Sequence, residues 1–138
     1  MSDRRVLIGL AEKWGSLDQP RATGELYAIN ADGKRGELLA GYRAQPRDPG
    51  FVTGRKVQPV AAFLADPLAD DENTALVTIW PFSDDPNTRL ERMDLLTGRG
   101  VLVANSPVRR AAFTTDNKGR LRFAHGAGTD NVNKLFYR

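Results

Sequence analysis

Cysteine is absent from the 138 residues, which excludes disulfide staples, thiolate zinc sites and a thiol nucleophile. Histidine occurs once, at position 125, so a serine triad would have a single base to draw on. There is no Gly-x-Ser-x-Gly elbow, the strained turn that presents the nucleophile in α/β-hydrolases. No apolar run approaches the roughly 20 residues of a membrane-spanning helix. The first one, Val6 to Leu10, stops at Glu12 and Lys13 without the long h-region or small-residue cleavage site of a signal peptide. The compartment stays open between cytoplasm and periplasm. Massed charge is missing too. The net charge of +3 is spread along the chain, in pairs such as Arg4-Arg5 and Arg109-Arg110, whereas nucleic-acid binding needs many phosphate contacts on one face. Helical periodicity is also lacking over any window of about a dozen residues.

What remains is 41% hydrophobic and 27% charged residues, enough for a packed interior and a solvated surface. The apolar residues alternate, or form short runs, and turn signals interrupt them every ~8–12 residues, the pattern of many short strands. Leu26 to Ile29 runs into Asn30-Ala31-Asp32-Gly33 and returns through Glu37 to Ala40. Asp-Gly between apolar runs predicts a hairpin with positive φ at both turn positions. Leu90 to Leu96 returns through Thr97-Gly98 to Val101-Ala104, and Ala111 to Thr115 returns through Asp116-Asn117-Lys118-Gly119 to Leu121-His125. Strands are expected to start near Arg5, Glu25, Glu37, Val60, Thr74, Arg89, Gly100, Arg110, Arg120 and Lys134.

Such a set of strands without helices fits a sandwich, a barrel or a propeller. Internal repetition decides among them. Leu90-Leu96 repeats Leu26-Asp32 relative to the glycine turn about 64 residues later, and Leu135-Tyr137 repeats it again about 45 residues on. Val6-Ile8, Leu76-Ile79 and Leu121-Ala124 form a second repeating series. The expected fold is all-β, a partial β-propeller of about two and a half four-stranded antiparallel blades. Residues 1–43 form an incomplete first blade, 44–58 an inserted loop rich in Pro, Gly, Arg and Asp, 59–107 a complete blade and 108–138 an incomplete third. On this reading the chain starts and stops in mid-blade.

Chemistry-bearing residues are few. His125 follows a strand and precedes Gly126-Ala127-Gly128, so it is expected at a strand end, in a structural or surface role. Asp66, Asp70, Asp71 and Glu72 lack the order and the glycine of a calcium loop and read as a solvated connection. Asp84-Asp85-Pro86-Asn87 reads as a turn. Gly126-Asp130 lacks the lysine and following helix of a phosphate loop, and is expected to connect strands. Trp14, Trp80 and Phe82 are expected to pack between blades. No residue is assigned a catalytic, cofactor-binding or metal-binding role, and no cofactor is expected.

The run Asp66-Pro67, an acidic loop, and the strand Thr74-Val77 lead to Leu90-Glu91-Arg92-Met93-Asp94-Leu95-Leu96-Thr97-Gly98. A strand ending Ala104-Asn105-Ser106-Pro107 and the segment Thr115 to Arg122 follow. Together these resemble the N-terminal propeller of bacterial prolyl-oligopeptidase-type serine peptidases, the acylaminoacyl and dipeptidyl peptidase relatives. The resemblance covers residues 60–138, and 1–43 more loosely. It implies a propeller that restricts substrate access to a separate α/β-hydrolase domain. None of the family's catalytic residues has a counterpart in this chain, so the expected role is non-catalytic. Two other readings stand beside it: a free-standing interaction module assembled through its sheet edges, and a small β-domain binding a ligand through residues 41–57. Strand edges at Val6-Leu10 and Leu135-Tyr137 carry little charge, so self-association is expected.

Overall fold

The computed structural model describes residues 4–41 and 60–138. The inserted loop at 44–58 lies outside the described residues. Among them there is no helix, and therefore none long and apolar enough to cross a membrane. Ten strands follow one another: β1 (Arg5–Glu12), β2 (Arg21–Asn30), β3 (Glu37–Ala40), β4 (Ala61–Asp66), β5 (Thr74–Trp80), β6 (Asn87–Asp94), β7 (Gly100–Arg109), β8 (Ala112–Thr115), β9 (Leu121–Ala127) and β10 (Asn133–Tyr137). Each pairs antiparallel with its neighbour in sequence, giving sheets of three, four and three strands, β1-β2-β3, β4-β5-β6-β7 and β8-β9-β10. The all-β expectation holds in this form. Among the described residues no sheet closes on itself. The repeated segments fall at equivalent places: β1, β5 and β9 carry one series, and β2, β6 and β10, each paired to the strand before it, carry the other.

The central sheet separates two apolar layers. Ala62, Ala75, Val77, Ile79, Met93 and Leu95 pack against Leu26, Ala28, Leu39 and Ala40 of the first sheet. On the other side Leu68, Leu76 and Leu90 meet Phe113 and Leu121 of the third. Alternate side chains of a strand point to opposite faces, so β5 is apolar at nearly every position because both its faces are covered: Ala75 to Ile79 are all buried. Gly24 of β2 sits at φ +81° against β4, where a Cβ would stand 2.5 Å from that of Ala61. Glycine alone suits that backbone and that approach.

Turn chemistry differs from the sequence expectation at Asp32-Gly33. Only Gly33 takes positive φ of the pair (80°). The N–H of Gly33 donates to Asn30 O and the N–H of Asn30 to Lys34 O, a type I turn followed by a left-handed residue, the three-residue hairpin. Asp116 to Arg120 repeats the pattern with Gly119 in the left-handed position, and Gly128 to Val132 repeats it with Asn131 at φ 55°. Asparagine tolerates that region better than most residues.

β2 begins at Arg21, four residues before the expected start at Glu25. The apolar signal marks only the buried part of the strand, and Arg21 and Ala22 are exposed.

Candidate functional site

The two ends of the three-sheet stack differ in chemistry. At one end lie the turns after β2, β4, β6 and β8, joined across sheets by an ion pair from Arg4 to Glu72 (3.0 Å) and by the Thr115 hydroxyl donating to Asp66 Oδ2 (2.5 Å). Aspartates build these turns. Asp32, Asp66, Asp71, Asp94 and Asp116 each accept, through Oδ1, the N–H two residues onward. Local bonding of this kind pins a turn without help from the core.

The acidic cluster is thereby accounted for residue by residue. Asp66 closes β4, and Asp71 also accepts the Thr74 hydroxyl at 2.5 Å. Glu72 faces Arg4, and Asp70 is exposed. The Thr74 hydroxyl, then the Asn73 N–H, holds the Asp71 carboxyl below its ordinary value. Asp116 is held far lower, first by the Arg120 N–H and then by that of Lys118 and by the guanidinium groups of Arg120 and Arg122. Among the described residues, no three His, Asp or Glu side chains gather as metal ligands would.

A cleft of about 450 Å³ opens at this end between the first and central sheets, lined by Arg5, Leu7, Leu64, Leu68, Ala75 and Leu95 among others. Arg5 is 3% exposed. Its guanidinium ties three strands together, donating to Asn30 Oδ1 (2.9 Å), Ala28 O (3.2 Å) and Glu37 Oε2 (3.2 Å). That is a structural clamp across β1, β2 and β3, using the fixed fork of arginine.

The opposite end carries exposed apolar tips: Trp14 and Leu17 before β2, Phe82 before β6 and Val132 before β10. The expectation that Trp14 and Phe82 pack between sheets is corrected here, because they are 85% and 58% exposed on the loops before β2 and β6. Trp80 lies edge-on to Phe63 of β4 with ring centroids 6.3 Å apart, a contact within the central sheet. Asp85 at this end pairs with Arg109 (2.6 Å) and Arg110 (3.4 Å).

His125 lies inside β9 rather than at its end, between Ala112 of β8 and Leu135 of β10, with its side chain exposed. β9 runs on through Gly126 and Ala127. The Gly-rich signal ended the predicted strand too early, because Gly126 is placed by close packing: a Cβ there would stand 3.1 Å from Arg109 O and from Ala111 Cα. No sequence signal singled out Arg5, although an arginine two residues before the apolar Leu7 in an alternating strand is the pattern of an inward-facing residue. Comparison with known proteins found no matching family model, no matching curated protein and no matching solved structure.

Proposed function

We propose that the chain is a non-catalytic β-propeller segment of a prolyl-oligopeptidase-type serine peptidase, restricting substrate access to an α/β-hydrolase domain. The observation that carries the propeller reading is the face-to-face stacking of three antiparallel meanders, the central one covered on both sides. Neighbouring propeller blades pack in this way, and repeats on the scale of ~40–50 residues are the period of four-stranded blades. The peptidase part rests on the sequence pattern of residues 60–138. A fluorophosphonate probe tests it. The chain alone should take no label, whereas antibody capture of this chain from its own cells should bring down a labelled serine hydrolase, covalently continuous with it or bound to it. Labelling of a serine within residues 1–138, lost on replacing that serine with alanine, overturns the non-catalytic role. Capture without any labelled hydrolase overturns the peptidase link.

A second reading, an interaction module assembled through its sheet edges, is favoured by one observation. Every residue of β10 is exposed.

A further inference from the structure

Positive φ costs glycine little, but for a bulky side chain it is an outlier. Among the described residues, four other than glycine adopt it: Arg35, Leu68, Arg110 and Asn131. Three of these are exposed. Leu68, at φ 53° in the loop between β4 and β5, is the buried one. Strain of this kind persists only where the surroundings enforce it, and it gathers at switch regions and clamps.

The surroundings that enforce it are visible. The Leu68 side chain belongs to the apolar layer between the central and third sheets, with Leu76, Leu90, Phe113 and Leu121. It rests against the backbone of the β8–β9 turn, where a Cβ on Gly119 would stand 2.1 Å from Leu68 Cδ2. The Leu68 N–H donates to Asp66 Oδ1 and its carbonyl accepts the Asp71 N–H, both at 2.8 Å. The loop is tied at its two ends, by Asp66 to Thr115 of the third sheet and by Glu72 to Arg4 at the start of the first. Between those ties Leu68 has open space on either side. Toward the third sheet it lines a recess of about 170 Å³ with Asp70, Arg92, Asn117 and Lys118. Toward the first sheet it lines the cleft of about 450 Å³, where Leu7, Leu64 and Leu95 supply apolar walls.

We propose that residues 67–71 form a strap with two positions, and that Leu68 is its latch. In the latched position, seen here, burial of the side chain holds the backbone in the left-handed region. On release Leu68 returns to negative φ, and its side chain passes from the layer beside Gly119 to the apolar wall of the cleft. Burial lost in the first seat is regained in the second, whereas the backbone strain is relieved only on release. Two packings that differ so little in free energy are what a bistable element requires. The space vacated, floored by Leu76, Leu90, Phe113 and Leu121, joins the recess and becomes an acceptor for an apolar group about the size of a leucine side chain. This device belongs to the stack itself, and operates whether or not the chain serves a peptidase.

The chain has no cysteine, so a thiol can be placed where the motion occurs. Leu68→Cys should react with iodoacetamide in the folded protein at a rate that low urea leaves unchanged, because release exposes little surface. Leu76→Cys, in the same layer but on β5, should react only through unfolding, at a rate that climbs with urea. The same urea dependence at both positions overturns the strap. Amide exchange at Asp71, whose N–H bonds Leu68 O, then tests the stored strain. Leu68→Ala and Leu68→Gly both remove the plug, but only alanine keeps a Cβ in left-handed backbone. With native circular dichroism in both variants, Asp71 should exchange about 5–30-fold faster in the alanine variant. Equal exchange, or the reverse order, overturns the latch. Leu64→Asn makes the cleft wall polar without adding charge, and should slow Asp71 exchange in the otherwise native chain. An unchanged or faster rate overturns the cleft as the second seat.

Discussion

Single aspartates shape the polar end of the molecule, and Asp116 does so most completely. Its Oδ1 accepts from the N–H of Lys118 (2.9 Å) and Arg120 (3.0 Å), and its Oδ2 pairs with Arg120 (2.9 Å) and Arg122 (3.0 Å). All four interactions favour the carboxylate over the acid, so folding depresses its pKa below the ordinary 3.8. A depressed carboxylate contributes stability that is present in full above the unfolded value and is lost as pH falls from there toward the folded one. Asp116→Asn keeps an acceptor for the turn but removes the charge. The variant should melt below the native chain at pH 7, and the gap should narrow as pH drops below about 4. A gap that is constant across that range would show that the carboxylate acts only as a neutral turn acceptor. Melting curves of the two proteins at a series of pH values decide between these outcomes.

At the level of the strand, covering decides energetics. β5 is covered on both faces, and Leu76 is 1% exposed between Leu90 and the third-sheet residues Phe113 and Leu121. Leu76→Ala should cost about 2–5 kcal/mol, the range for emptying a packed leucine site. Val101→Ala on the free edge β7, at 62% exposure, should stay within about 0.5 kcal/mol. Denaturant titration of both variants checks the contrast. This difference in covering is also why the strands were so legible. Thr74 to Trp80 reads as a near-continuous apolar run because both faces are buried, and the glycine turns mark where the backbone must take positive φ. What the sequence hid depends on long-range contact. Nothing near Trp14 or Phe82 says that their side chains stay exposed, and nothing local to Arg5 names Glu37 as its partner, 32 residues away.

Across the whole molecule, neither outer sheet owns a core. Leu26, Ala28, Leu39 and Ala40 are buried only in company with the central sheet, and Phe113 and Leu121 pack on its Leu76 and Leu90. A sheet of three strands without a covered face is marginal in water. The apolar layer that would stabilise either outer sheet therefore exists only when the central one is formed, and β5 lies in both layers at once. Unfolding should accordingly be a single transition. Trp80 reports the central sheet through its contact with Phe63, and replacing the exposed Trp14 with phenylalanine leaves Trp80 as the only tryptophan. In Trp14→Phe, urea transitions followed by fluorescence and by far-ultraviolet circular dichroism should coincide, as two-state unfolding requires. Leu76→Ala should move both midpoints together, although Leu76 faces the third sheet and not the first. A dichroism transition that splits into two steps, with fluorescence following only one, would mean that an outer sheet folds and unfolds independently. In that case the stack would behave as separable repeats whose stability is a sum of unit and neighbour terms, and the Leu76 variant would shift one step and leave the other in place.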